Sequence, residues 1–166
     1  HGGSEILTDA GNPTYAAGPW QDYFRGPSAH NTLMIDRLPS SPIDERLKLF
    51  LRKEYFFRSV EMHPPRTDGL WSWTRIIHHG FNRLVPPVEV TRLIAATSEY
   101  IWISDSIRGE GAHHLDAWWH FGPSEITEIS GAHWRLSCDN RKWVDAIWLH
   151  DGRPARANIV RGEMHP

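Results

Sequence analysis

The chain has 166 residues, 40% apolar and 23% charged, a globular balance that excludes wholesale disorder. Lys and Arg total 18 against 20 Asp and Glu, a net charge of −2, so no basic field exists to neutralise phosphates and no nucleic-acid partner is expected. No apolar run is long enough for a membrane span, and the single Cys138 excludes a disulfide framework and a thiolate zinc cluster.

In chain order, residues 4–8 read as a strand closed by the turn Asp9-Ala10-Gly11-Asn12-Pro13. Residues 12–30, punctuated by Pro13, Gly18, Pro19, Gly26 and Pro27, read as a long loop. A short strand follows at 31–35, then a surface turn at 38–44. Residues 45–60, where Leu47, Leu49 and Leu51 alternate with charges, fit either a strand or a short helix. Alternation predicts strands at 71–78 and 88–96. The continuous apolar run 100–103 reads as a strand buried on both faces, and 107–111 as a turn. Further strands are predicted at 112–121, stopped by Gly122-Pro123, and at 134–138 and 143–150. Turn signals at intervals of about ten residues make this an all-β, antiparallel β-sandwich, read as one domain over 1–166.

Two counts stand out, 9 Trp and 11 His. Indoles offer flat apolar faces and imidazoles offer metal ligands and proton carriers, which suits polar, ring-shaped ligands such as sugars. A Trp-rich β core with surface His explains the same counts. Trp73, Trp102 and Trp119 sit in apolar runs and are assigned to the core, whereas Trp20 is best placed to stack on a pyranose ring. In 112–121 the odd positions form a core face, and His114, Asp116, Trp118 and His120 form a polar one. His114 and Asp116 superficially match two thirds of a two-His-one-carboxylate iron site. His120 lies roughly 20 Å along a strand from His114, too far to complete it, so a β-helix iron oxygenase stays a remote alternative.

Asp9 and His30 each stand at a strand end, and if those strands are neighbours they give two ligands of a zinc-type site. The same spacing fits an Asx turn and an exposed His. Arg25 has the planar fork for a carboxylate or sulfate, or for a surface ion pair. Tyr15 and Tyr23 either contact sugar or pack the loop, and Asn31 either fixes a ligand or a turn. His78-His79 and His113-His114 are expected as exposed or hydrogen-bonded strand residues, and Asp105 as a strand-end turn residue.

The stretch Ile6-Leu7-Thr8-Asp9-Ala10-Gly11-Asn12-Pro13-Thr14-Tyr15, followed by Asp22-Tyr23-Phe24-Arg25-Gly26-Pro27-Ser28-Ala29-His30-Asn31-Thr32-Leu33, resembles the heparinase II/III-like family. Members show an Asp-x-Gly…Tyr stretch and then a segment ending His-Asn-Thr. Thr91-Arg92, Ile103 to Gly109 and Gly111 to Pro123 resemble the succession of core strands, so the likeness covers about residues 4–125.

The resemblance implies a polysaccharide lyase that cleaves uronate-containing chains of glycosaminoglycan or alginate type by β-elimination. Such proteins join an N-terminal α/α toroid to a C-terminal, supersandwich-like β-sandwich, and this chain resembles the sandwich alone. It is therefore expected to be part of a larger polypeptide, periplasmic or in the cell envelope. Its partners would be an acidic polysaccharide or oligosaccharide and its own toroid. The resemblance implies a divalent metal, commonly zinc, with Asp9 matching the Asp of Asp-x-Gly, His30 a later His, and a further ligand upstream. Arg25, Asn31, Tyr15, Tyr23 and Trp20 would line the substrate cleft. The acid and base belong to the toroid, so no catalytic residue is assigned and the chain alone is expected to fold without turnover. The alternative is a non-catalytic carbohydrate-binding or scaffolding sandwich.

Overall fold

The structure, a computed structural model, describes residues 5–11, 18–40, 60–138 and 142–158. The predicted segment 45–60 and Tyr15 lie outside the described residues, Val60 excepted. The chain divides into two compact units, one of residues 1–10 with 119–166 and one of residues 11–118. Every strand pair in both is antiparallel, and the class is all-β and sandwich-like.

The second unit opens on a helix, α1 (Pro19–Arg25), and a 3-10 turn at Pro27–Ala29. Then come β1 (Leu33–Ile35), β2 (Leu38–Pro39), β3 (Val60–Met62), β4 (Arg66–Asp68), β5 (Trp71–His78), β6 (Val88–Ala96), β7 (Ile101–Gly109) and β8 (Leu115–Ala117). A small sheet runs β2-β1-β8, and a larger one runs β3-β5-β6-β7 with β4 also pairing β5. Alternation turns Val88, Val90 and Ile107 to one face of the larger sheet. There they form one core with Leu33 and Ile35 of β1, together with Phe81 and Leu84 from the β5–β6 connection. That sheet-on-sheet contact is the sandwich. Ile35 and Val88 are fully buried in it.

The β1–β2 hairpin turns on Asp36 and Arg37, both at positive φ (53° and 61°), the pair of left-handed residues that a two-residue hairpin loop needs. Neither is Gly, so the turn needs outside support, and Asp36 supplies it. Its carboxylate accepts from the His114 backbone N–H at 2.9 Å and pairs with His113 Nδ1 at 2.7 Å. Gly80 is required where the β5–β6 connection meets this hairpin, because a Cβ there would run into the Ser40 carbonyl and the His78 ring.

In the first unit, β9 (Glu125–Ser130), β10 (His133–Cys138) and β11 (Lys142–Ile147) form a meander. A hairpin of β12 (Leu149–His150) and β13 (Arg153–Pro154) follows, turning on Asp151-Gly152. The predicted strand at 4–8 is reduced to a single bridge, Leu7 to Phe121.

Four expectations are corrected. Residues 19–25 are helical, since Pro19 stands at the first helical turn, where a missing N–H costs nothing. The 100–103 run is not buried on both faces: β7 continues to Gly109, and Tyr100, Ile101 and Trp102 are exposed. Residues 107–109 are therefore strand, not turn. The 112–121 strand shrinks to Leu115–Ala117, with Leu115 exposed.

Candidate functional site

The segment from α1 to β1 carries most of the site residues expected from sequence, and it is held by backbone and side-chain ties. Gly26 caps α1 by donating its N–H to the Tyr23 carbonyl at 2.9 Å. Within α1, Phe24 is buried while Trp20 and Tyr23, three residues apart and so on one side, stay exposed. The three rings form a cluster: Trp20 lies over Phe24 with centroids 6.0 Å apart and a 25° interplanar angle, and Tyr23 meets Phe24 edge-on at 5.2 Å. Phe24 thus anchors two aromatic side chains that open to solvent. Arg25 ends the helix, half-buried.

His30 closes the 3-10 turn and reaches back to α1. Its Nε2 lies 2.9 Å from the Phe24 carbonyl, and since a carbonyl only accepts, Nε2 carries the proton. In the neutral ring the lone pair then resides on Nδ1. Asn31 is fixed through its carbonyl, which accepts from Arg92 Nη1 at 2.7 Å. Thr32 accepts from the Trp118 backbone N–H at 2.9 Å. The Trp118 indole N–H is buried with no hydrogen-bond acceptor among the described residues, a costly state for a buried donor.

Trp20, Tyr23, Arg25, His30 and Asn31 therefore lie on one tied stretch of the second unit. Asp9 belongs to the first unit, exposed and next to Thr8, whose N–H donates to the His120 carbonyl at 3.0 Å. Tyr15 is outside the described residues. No group of three His, Cys, Asp or Glu placed to hold an ion occurs among the described residues. His114 Nε2 is instead 3.1 Å from Asp116 Oδ1, so these two pair with each other.

Two polar features escaped sequence reasoning. Asp105 does not close a turn: it sits inside β7 and grips Arg92 of β6 through two bonds, 2.7 and 2.8 Å. A lone Arg in one apolar strand and a lone Asp in the next hint at such a pair, but only the hairpin register sets them opposite one another. The second feature is the Asp36–His113 clasp. His113 Nε2 faces the Glu110 carbonyl at 3.0 Å while Nδ1 faces Asp36, so the imidazolium satisfies both acceptors. The hydrogen bond to Asp36 raises the His113 pKa above its ordinary value, and the same bond, with the His114 N–H, holds the Asp36 carboxyl below the usual range.

No helix among the described residues is long and apolar enough to cross a membrane. No curated protein and no solved structure matches the chain. The family model described as "Heparinase II/III-like, C-terminal" matches residues 1–165. With the family model covering nearly its whole length, the chain belongs to the heparinase II/III-like C-terminal domain family, a family associated with polysaccharide lyases.

Proposed function

We propose that this domain is the glycan-contacting sandwich of a polysaccharide lyase that cleaves uronate-containing chains by β-elimination. In that reaction a base removes the C5 proton of the uronate, the C4–O bond breaks, and the leaving oxygen takes a proton, leaving a C4–C5 double bond. Neutralising the uronate carboxylate makes the C5 proton more acidic. We assign the acid and base to the preceding toroid and substrate contact to this domain. The observation that carries the contact is the Trp20–Tyr23 pair, which stays open to solvent on the buried anchor Phe24. Indole and phenol rings exposed on a fixed support match the apolar faces of sugar rings. Arg25, at the end of the same helix, supplies the fork for a carboxylate or sulfate.

The reading includes a divalent metal, zinc by its donor types. His30 offers a ring whose other nitrogen donates to a backbone carbonyl, the support that metal-binding histidines use. When bound, the ion supplies a fixed positive charge. The setting proposed for the parent protein is the periplasm or cell envelope.

The test compares this chain with the full-length parent on heparin-type and alginate-type oligosaccharides, following absorbance of the unsaturated product. Turnover is expected from the parent only, and Trp20→Ala in the parent is expected to raise KM about tenfold, the loss of one aromatic contact. Zinc content of the purified chain is expected to fall in His30→Ala. Binding without turnover in the parent overturns the lyase and favours the non-catalytic carbohydrate-binding sandwich.

A further inference from the structure

The larger sheet of the second unit has a second face, opposite the core, and its composition is unlike that of an ordinary solvated sheet. Register places Arg66, Trp73, Ala95 and Trp102 side by side across β4, β5, β6 and β7. Two residues further along lie Trp71 in β5 and Tyr100 just before β7, on the same side by alternation. Trp71, Tyr100 and Trp102 are all exposed, Trp102 to 51%. Such a row of large aromatic rings open to water marks a binding surface. Small Ala95 separates the two indoles of its row, leaving a trough between them roughly two strand spacings, about 10 Å, across.

The charges on this face say what would fill the trough. The Arg66 guanidinium lies 5.8 Å from the Trp73 ring centroid. Arg75, two residues from Trp73, has Nη2 3.1 Å from His63 Nε2. Neither arginine is paired with a carboxylate among the described residues, unlike Arg92 and Arg135. The carboxylates of this face lie away from the trough row: Asp68 opposite Trp71, and Glu61 and Glu89 with His79 at the far end.

We infer that the outer face of the five-stranded sheet is a second, non-catalytic binding surface for an acidic polysaccharide, with Trp71, Trp102 and Tyr100 stacking on sugar rings and Arg66 and Arg75 meeting carboxylates or sulfates. It lies apart from the α1 segment and takes its ligand class from the proposed function. A lyase acting on long chains gains from such a hold, because a second contact on one chain raises the local concentration of scissile bonds.

The experiment titrates this chain with a heparin-derived hexasaccharide, an alginate hexasaccharide and neutral cellohexaose, following indole N–H signals by NMR and affinity by calorimetry. An acidic hexasaccharide is expected to shift the Trp71 and Trp102 signals, and Trp102→Ala to weaken its binding about tenfold. Arg66→Gln with Arg75→Gln should weaken it comparably and flatten its salt dependence, while Trp20→Ala leaves the Trp71 and Trp102 shifts in place. Equal binding of cellohexaose, or unchanged affinity in a folded Trp102→Ala, overturns the proposal. So does a dimer in sedimentation that Trp102→Ala converts to monomer, which would give the face to a second copy. Product formation by the full-length parent on short oligosaccharides should survive Trp102→Ala, so the lyase reading stands or falls separately.

Discussion

Among the described residues the same interaction occurs twice, in two settings. Arg92 faces Asp105 across β6 and β7 in the second unit, and Arg135 faces Asp145 across β10 and β11 in the first. Each is a forked pair, with bonds of 2.7 and 2.8 Å in one and 2.7 and 2.9 Å in the other. They differ in surroundings. The first pair's side chains are 19% and 13% exposed and share the inner side of the sheet with the core, and Arg92 also holds the Asn31 carbonyl. The second pair's are 41% and 33% exposed, with the Arg135 guanidinium 5.4 Å from the Trp143 ring centroid. Bond geometry alone therefore does not rank the pairs. What ranks them is the state of the partner left behind when one member goes, since a charge left unpaired on the inner side of the sandwich reaches water less than one on a solvated sheet.

The largest effect is expected for Arg92→Ala. It strands the Asp105 carboxylate and removes a donor from the Asn31 carbonyl. A loss of about 3 kcal/mol is expected, roughly a hundredfold in the local opening equilibrium. Native-state hydrogen exchange of the β6 and β7 amides reads it directly. The α1 segment should loosen with it, because Asn31 links that segment to the sheet. Replacing both partners, Arg92→Met with Asp105→Leu, should recover most of the loss. A double variant as unstable as the single one would show that the desolvation argument is wrong.

Neither pair was legible before the fold, although each strand nearly was. The strands at 71–78 and 88–96 follow from alternation alone, residue for residue. Asp105 and Arg92, 13 residues apart, are matched only by hairpin register, which sequence leaves open. A continuous apolar run hides its own facing, so Trp102 read as core although it lies on the outer side. The helix α1 spans seven residues, too few to show a helical period, and its end signals, Pro19 and Gly26, also read as breakers. Hairpin turns show both cases: Asp151-Gly152 carries the standard signal, whereas Asp36-Arg37 adopts the same left-handed turn without a Gly. Of the candidate site, the motif located Tyr23, Arg25, His30 and Asn31 on one stretch, and Trp20 was found as an indole in the loop just before it. The buried Phe24 that supports them was not visible, because burial belongs to the fold.

Two histidines of the second unit extend the contrast between buried and solvated charge to pH. Burial pushes the His78 pKa down, with repulsion from His79 and Arg83 adding to it, and His78 Nδ1 accepts the Gly80 N–H at 2.9 Å. The unfolded chain binds the proton first, so this stabilising contribution is lost as pH falls below the ordinary value of 6.5. His113 runs the other way. Its contribution is complete below 6.5 and is lost as pH rises through its elevated pKa, while that of Asp36 is lost as pH falls through its depressed one. Imidazole C–H shifts followed by NMR should give a midpoint below 6.5 for His78 and above it for His113. Asp36→Asn should return His113 toward its ordinary value and leave His78 where it was. Coincident midpoints in the unaltered chain would remove the electrostatic distinction between the two sites.

The smallest effect is expected for Arg135→Ala, and its smallness is the informative result. The Asp145 hydrogen bond raises the Arg135 pKa, and the same bond lowers that of Asp145. Both side chains nevertheless remain in contact with water, and His133 Nε2, 3.5 Å from the Asp145 carboxylate, is left beside it when Arg135 is removed. Water and His133 then take over most of what the guanidinium did. The β10 and β11 amides should exchange almost as slowly in Arg135→Ala as in the unaltered chain, and the small difference should shrink further in high salt. Arg92→Ala should depend on salt less, because its stranded carboxylate is mostly covered and ions screen it less. A loss in Arg135→Ala that matched Arg92→Ala and resisted salt would place the ranking in the two-bond geometry after all, and burial would no longer explain it.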